Sequence, residues 1–116
     1  MGDEQRQFDR VPQAFMVRCR PSGSLAVIWQ SMFTLDVSAG GILLRGEMLA
    51  DPGDVLEIAL PIPGGKEQLL RGKVIRGKEL GPGTFEYAVE FISVSPDQQA
   101  DIDQLVQFLK KGPRGV

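Results

Sequence analysis

Histidine does not occur in this sequence, and with it go the commonest general base, the usual imidazole metal ligand and every catalytic triad built on an imidazole. No nucleophile and base pair can then be assembled except from scattered carboxylates and lysines, which leaves an enzyme as the weakest of the readings. Cysteine occurs once, as Cys19, which excludes an intrachain disulfide; its place in an alternating segment reads as a buried thiol in a reducing cytosol. Long apolar runs are missing too. The longest, Leu25 to Trp29, falls far short of the roughly 18 to 20 residues that cross a bilayer, and Met1 to Arg10 is polar and charged with no signal-peptide core. A cytoplasmic protein with no membrane insertion is expected. An excess of positive charge is also absent: the formal net charge of -2 lacks the field on which sequence-independent DNA or RNA binding depends. No DNA or RNA partner is expected, and any phosphate-bearing ligand should be small and locally gripped.

What is present is enough for one domain. A chain of 116 residues with 42% hydrophobic residues can close a single core and is too short to divide comfortably into two. Residues 1–11 have little to bury beyond Phe8 and read as a flexible arm. From Phe15 the pattern alternates, with Phe15, Val17 and Cys19 on one face and Met16, Arg18 and Arg20 on the other, which is a half-buried strand. Pro21 to Ser24 turns the chain. A second run, Leu25 to Ser38, sets Phe33, Leu35 and Val37 on the inner face and Thr34, Asp36 and Ser38 on a shared outer one. Trp29, in its apolar stretch, reads as core in preference to a stacking platform.

After the Ala39-Gly40-Gly41 turn come strand-like segments at Ile42 to Leu44, Val55 to Leu60, Gln68 to Arg76 and Phe85 to Ile92, the last two separated by a loop from Gly77 to Gly83. Tyr87, Val89 and Phe91 should point inward. Ser95-Pro96-Asp97-Gln98 has the form of an N-cap, a proline at the first helical position and a capping-box glutamine, and Ile102, Leu105, Val106 and Leu109 then recur at helical spacing. Short strands bounded by turn residues, followed by one amphipathic helix, predict an all-β fold with a single helix: a six-stranded antiparallel β-barrel over 12–94 and a C-terminal α-helix over 95–111.

Folding needs alone do not explain Arg6-x-x-x-Arg10 in the arm or Asp36-x-Ser38-x-x-Gly41 at a strand end. Either motif arises often by chance. Together, with 25 residues between Arg10 and Asp36, they resemble the paired signature of the PilZ family of cyclic di-GMP receptors. The similarity extends to Ile42-Leu43-Leu44, Gly72-Lys73-Val74-Ile75-Arg76, Tyr87-Ala88-Val89-Glu90-Phe91 and the Ser95-Pro96-Asp97 helix start, and so covers essentially the whole chain. The resemblance implies a PilZ-type barrel and a non-enzymatic receptor for cyclic di-GMP, with no other cofactor and no metal. It also implies an effector protein in motility, exopolysaccharide or transcription machinery as the partner.

The residues implied as the site are Arg6, Arg10, Asp36, Ser38, Gly40, Gly41 and Arg76. Their chemistry agrees. An arginine fork matches guanine O6 and N7, holds phosphate, and stacks on a purine by its flat face. Asp36 only accepts, so it suits the guanine N1-H and N2-H donors, and Ser38 can donate its hydroxyl to a phosphate oxygen. Gly41 permits a close approach and an unusual backbone angle. Arg76 falls where the family often carries a tryptophan; stacking on a base and an exposed strand-end cation are both open readings. Equally, Asp36 and Ser38 could cap the turn while also binding. Two departures stand out: Gln5 where many members have arginine, which argues against a second bound ligand, and Ala88 where a glycine is common. The rival readings are a ligand-independent PilZ-like interaction module and a small barrel that binds single-stranded RNA; complete motifs argue against the first, and the charge balance against the second.

Overall fold

The computed structural model describes residues 15–23 and 28–111, so the 1–11 arm with Arg6 and Arg10 lies outside the described residues, as do Leu25, Ala26 and Val27. Six strands close into an antiparallel barrel in the order β1-β2-β3-β6-β5-β4: β1 Phe15–Pro21, β2 Gln30–Val37, β3 Gly41–Gly46, β4 Val55–Ile62, β5 Lys66–Gly81 and β6 Thr84–Ile92, followed by helix α1, Pro96–Lys111. No described helix is long and apolar enough to cross a membrane.

The alternation of β1 is as expected, with Val17 and Cys19 buried and Met16 and Arg18 exposed. Burial pushes the Cys19 thiol up to about 12, so it stays protonated and unreactive at neutral pH. Tyr87, Val89 and Phe91 of β6 are buried in the same core, where each large side chain contributes about 1.5 to 3 kcal/mol relative to exposure.

Strand β2 corrects the expected faces. Thr34, not Phe33, is buried. The cause is a β-bulge: Thr34 pairs with Leu44 but Asp36 pairs with Leu43, leaving Leu35 as an extra residue that inverts the alternation. Val37 therefore turns inward and Asp36 and Ser38 outward, while the Thr34 hydroxyl is satisfied by the Leu43 carbonyl at 3.2 Å. Trp29 is a second correction. It precedes β2 and lies outside the core, half-buried, with the Arg20 guanidinium 4.3 Å and the Arg18 guanidinium 5.1 Å from its ring centroid. Glu57 pairs with Arg20 at 2.7 Å and Glu67 with Arg18 at 2.8 Å.

Nor is 77–83 a loop. Strand β5 continues to Gly81 and pairs with β6 from Arg71 to Gly81, with a register shift between Glu79 and Gly81, and the turn shrinks to Pro82-Gly83, with Gly83 at φ 76° as a tight turn after proline requires. Gly77 is a packing residue here, since a Cβ at that position would lie 2.7 Å from the Tyr87 ring. Helix α1 opens with the expected capping box: the Gln98 amide donates to Ser95 Oγ at 3.1 Å, and the Ser95 amide to Gln98 Oε1 at 2.9 Å. Ile102, Leu105 and Leu109 join the barrel's core cluster. Asp101 fastens the helix to β5, accepting from Gln68 at 2.7 Å and from Lys66 at 3.1 Å. Those two donors, Gln68 first, hold its carboxyl below the usual range.

Candidate functional site

The bulge at Leu35 sets the position of Asp36, half-buried on the barrel's outer side one residue before the core residue Val37. The chain then turns tightly. The Ser38 amide donates to the Gly41 carbonyl at 2.9 Å and the Ser38 hydroxyl reaches the same oxygen at 3.4 Å, so turn capping by this serine is realised in the structure. The turn is tied down at two further points: the Phe91 amide donates to the Gly40 carbonyl at 2.9 Å, and Gln99 of α1 donates to the Ala39 carbonyl at 3.2 Å. A turn held by β6 and by the helix presents Asp36 and Ser38 on a fixed frame.

A second bulge acts from across the sheet. In β5, Val74 pairs with Val89 and Arg76 with Ala88, so Ile75 is the extra residue. Ile75 and Arg76 are consequently both exposed, where strict alternation would have buried one of them. Between the two bulges, over β3 and β6, lies an open groove of about 470 Å³. Asp36, Ser38, Gly40, Gly41 and Arg76 all line it. The remaining sequence candidates, Arg6 and Arg10, lie outside the described residues.

The groove has a polar lip and an apolar bed. Asp36 supplies an acceptor at one side and Arg76 a five-donor guanidinium at the other, while Leu43, Ile75 and Ala88 offer apolar surface between them. A planar ring with hydrogen-bond donors on one edge and acceptors or negative charge elsewhere matches this layout. Glu90 also lines the groove and makes its end unfavourable for a phosphate. Sequence reasoning missed Ile75, Leu43 and Glu90; the signal for Ile75 was the break in alternation at Val74-Ile75-Arg76, which depends on the partner strand's register.

The two glycines of the turn differ. A Cβ on Gly41 would lie 2.4 Å from the Val89 carbonyl oxygen, and its φ is not in the left-handed range. Gly41 is thus needed for close packing of β3 on the β6 backbone, and an unusual backbone angle, expected from the sequence, is not its reason. Gly40 has open space around its Cα and borders the groove.

No curated protein sequence matches the chain. Among solved structures, it is similar to the PilZ domain of CeSA from a cellulose-synthesizing bacterium, at 21% identity and a TM-score of 0.65 over 84% of this chain and 94% of that one. It is similar to the Bacillus subtilis inhibitor of motility MotI/DgrA, at 18% identity and a TM-score of 0.65 over 84% of this chain and 48% of that one. A third is the PilZ domain of Escherichia coli YcgR, solved with c-di-GMP, at 16% identity and a TM-score of 0.61 over 89% of this chain and 94% of that one. These likenesses show the fold, a closed six-stranded barrel with one C-terminal helix. The PilZ domain model matches residues 4–108, nearly the whole chain, and the protein belongs to the PilZ domain family.

Proposed function

We propose that this PilZ domain is a receptor for cyclic di-GMP, held in the groove between the two bulges, and that it acts through protein contacts and not by catalysis. One observation carries the reading: Asp36, Ser38, Gly40 and Gly41 of the motif and Arg76, far away in sequence, line a single groove of about 470 Å³, within the size range of small-molecule sites. Asp36 accepts from guanine N1-H and N2-H, Arg76 stacks on a base or pairs with a phosphate, and the apolar bed of Leu43 and Ile75 supports a ring face. Arg6 and Arg10 complete the site from the N-terminal segment, contacting guanine O6 and N7 and the phosphates. Binding fixes that segment against the barrel and so changes the surface offered to an effector.

Isothermal titration of the full chain with cyclic di-GMP, with GMP and cyclic di-AMP as controls, tests the reading. Saturation at one cyclic di-GMP per chain is expected, because Gln5 lacks the charge and fork of a further arginine that would clamp a stacked second molecule. Cyclic di-AMP should bind at least roughly tenfold more weakly, since adenine presents neither O6 nor the N1-H and N2-H pair. Equal affinity for the two dinucleotides would contradict guanine readout by Asp36, and saturation at two would contradict the role given to Gln5.

A further inference from the structure

A second groove, of about 460 Å³, shares no lining residue with the first. It lies between the 49–54 loop and the β5-β6 hairpin. Its floor is apolar: Leu49, 75% exposed, Pro52, and Phe85, whose ring stacks on Tyr87 with centroids 6.2 Å apart. Its rim is acidic, with Asp51, Asp54 and Glu79. Lys78 stands on the same rim but its ammonium is 3.5 Å from the Glu86 carboxylate, whereas Asp51 and Glu79 form no ion pair among the described residues.

The loop carrying this floor is rigidly placed. The Tyr87 hydroxyl donates to the Met48 carbonyl at 2.6 Å and accepts from the Ala50 amide at 3.0 Å. The Asp51 amide donates to Asp54 Oδ2 at 2.8 Å, closing the Pro52-Gly53 turn. The turn is bonded to β5, the Gly53 amide to the Val74 carbonyl at 2.7 Å and the Val74 amide to the Asp54 carbonyl at 2.8 Å. Leu49 is therefore a large apolar side chain held out into solvent by a loop that is pinned on both sides.

We propose that this groove docks a protein segment bearing one aromatic or long aliphatic anchor flanked by lysine or arginine. Charge complementarity selects the occupant: the rim carboxylates of Asp51 and Glu79, which form no ion pair among the described residues, attract cationic side chains and repel the phosphates of a nucleotide, a nucleic acid or a lipid surface. The anchor covers Leu49 and Phe85, and an aromatic flanked by arginine is the chemistry that concentrates binding energy at interfaces. A preformed floor spares the ordering cost that a mobile loop would impose. The groove adjoins the nucleotide site along β5, where Arg76 lines one and Gly77 the other, but shares no lining residue with it, and docking does not depend on nucleotide binding there. By contrast, the cavity of about 300 Å³ formed by Phe15, Ile62, Leu105, Phe108 and Leu109 is lined by no charged side chain among the described residues and carries no indication of what would cover it.

The test uses the isotope-labelled full chain, without nucleotide, titrated with the synthetic peptide Lys-Lys-Leu-Trp-Lys-Arg and with a counterpart in which every basic residue is glutamate. The basic peptide should shift the amides of residues 49–54 and 78–85, and the acidic one should shift neither. The Asp51→Lys, Glu79→Lys double variant, which spares the turn-closing Asp54 carboxylate, should bind about tenfold more weakly by replacing two exposed attractions with repulsions. Leu49→Ser, which leaves the charges intact, should weaken binding without lowering the melting temperature. Shifts confined to the Phe108 cavity or to the Arg76 groove, no shifts at all, or affinity unchanged by the charge reversal would overturn the proposal.

Discussion

Asp36→Ala is expected to weaken cyclic di-GMP binding by roughly tenfold to a hundredfold, and Arg10→Ala by a similar factor, because one bidentate base contact is worth about 1 to 3 kcal/mol. The substitution at position 36 removes an acceptor from the groove wall while leaving the neighbouring core residue Val37 and the Ser38 to Gly41 turn in place. Its effect should therefore appear in affinity, and any change in melting temperature reports the interaction that Asp36 already makes within the chain. Asp36→Asn separates the two parts of the contact: it keeps a carbonyl acceptor for one guanine donor but loses the charge and the second acceptor, so its affinity should fall between wild type and alanine. Calorimetric titration paired with thermal melting of each variant checks both halves of the expectation. Wild-type affinity for both alanine variants would remove these residues from the site.

The second large effect separates the two glycines of the turn. Gly41→Ala brings a methyl group to 2.4 Å from the Val89 carbonyl oxygen, a backbone atom that cannot move aside without shifting β6. Overpacking of this kind costs about 1 to 3 kcal/mol, a drop of several degrees in melting temperature for a domain of roughly this size. Gly40→Ala meets nothing within 4 Å and should change stability by less than about 0.5 kcal/mol. Because Gly40 borders the groove, its methyl group should instead act on the ligand, lowering affinity in a chain that melts normally. Equal melting temperatures for the two variants would show that Gly41 does not pack against β6 as described.

Where the sequence was informative, one local rule governed each element. Alternation placed Val17 and Cys19 inside, and the Ser95 to Gln98 capping box marked the start of the helix, because both depend on residues adjacent in the chain. It misled where a partner strand intervenes. The extra residues at Leu35 and Ile75 are set by the register of β3 and β6, and no periodicity within β2 or β5 announces them. The face assigned to Thr34 was wrong for that reason, and Ile75 was overlooked as groove lining.

Glycines misled in a related way. Gly77 reads as a strand breaker until the Tyr87 ring is seen to occupy the space of its missing side chain. Trp29 belongs to an apolar run, but two cations on the outer face of β1 offer its ring a partner outside the core. Asp36, Ser38, Gly40, Gly41 and Arg76, which the sequence singled out, are gathered by the fold into one groove. The apolar bed between them was not legible, since it comes from three strands distant in sequence.

The most direct measurement is an amide chemical-shift map of the isotope-labelled full chain as cyclic di-GMP is added. If the dinucleotide occupies the groove between the two bulges, the largest changes will fall on residues 36–43, on Ile75 and Arg76, on 88–90, and on Arg6 to Arg10, while inward residues such as Ile58 and Ile102 barely move. Changes centred on the Leu49 and Phe85 groove or on the Trp29 face, with 36–43 and Arg76 unaffected at saturation, would contradict the account.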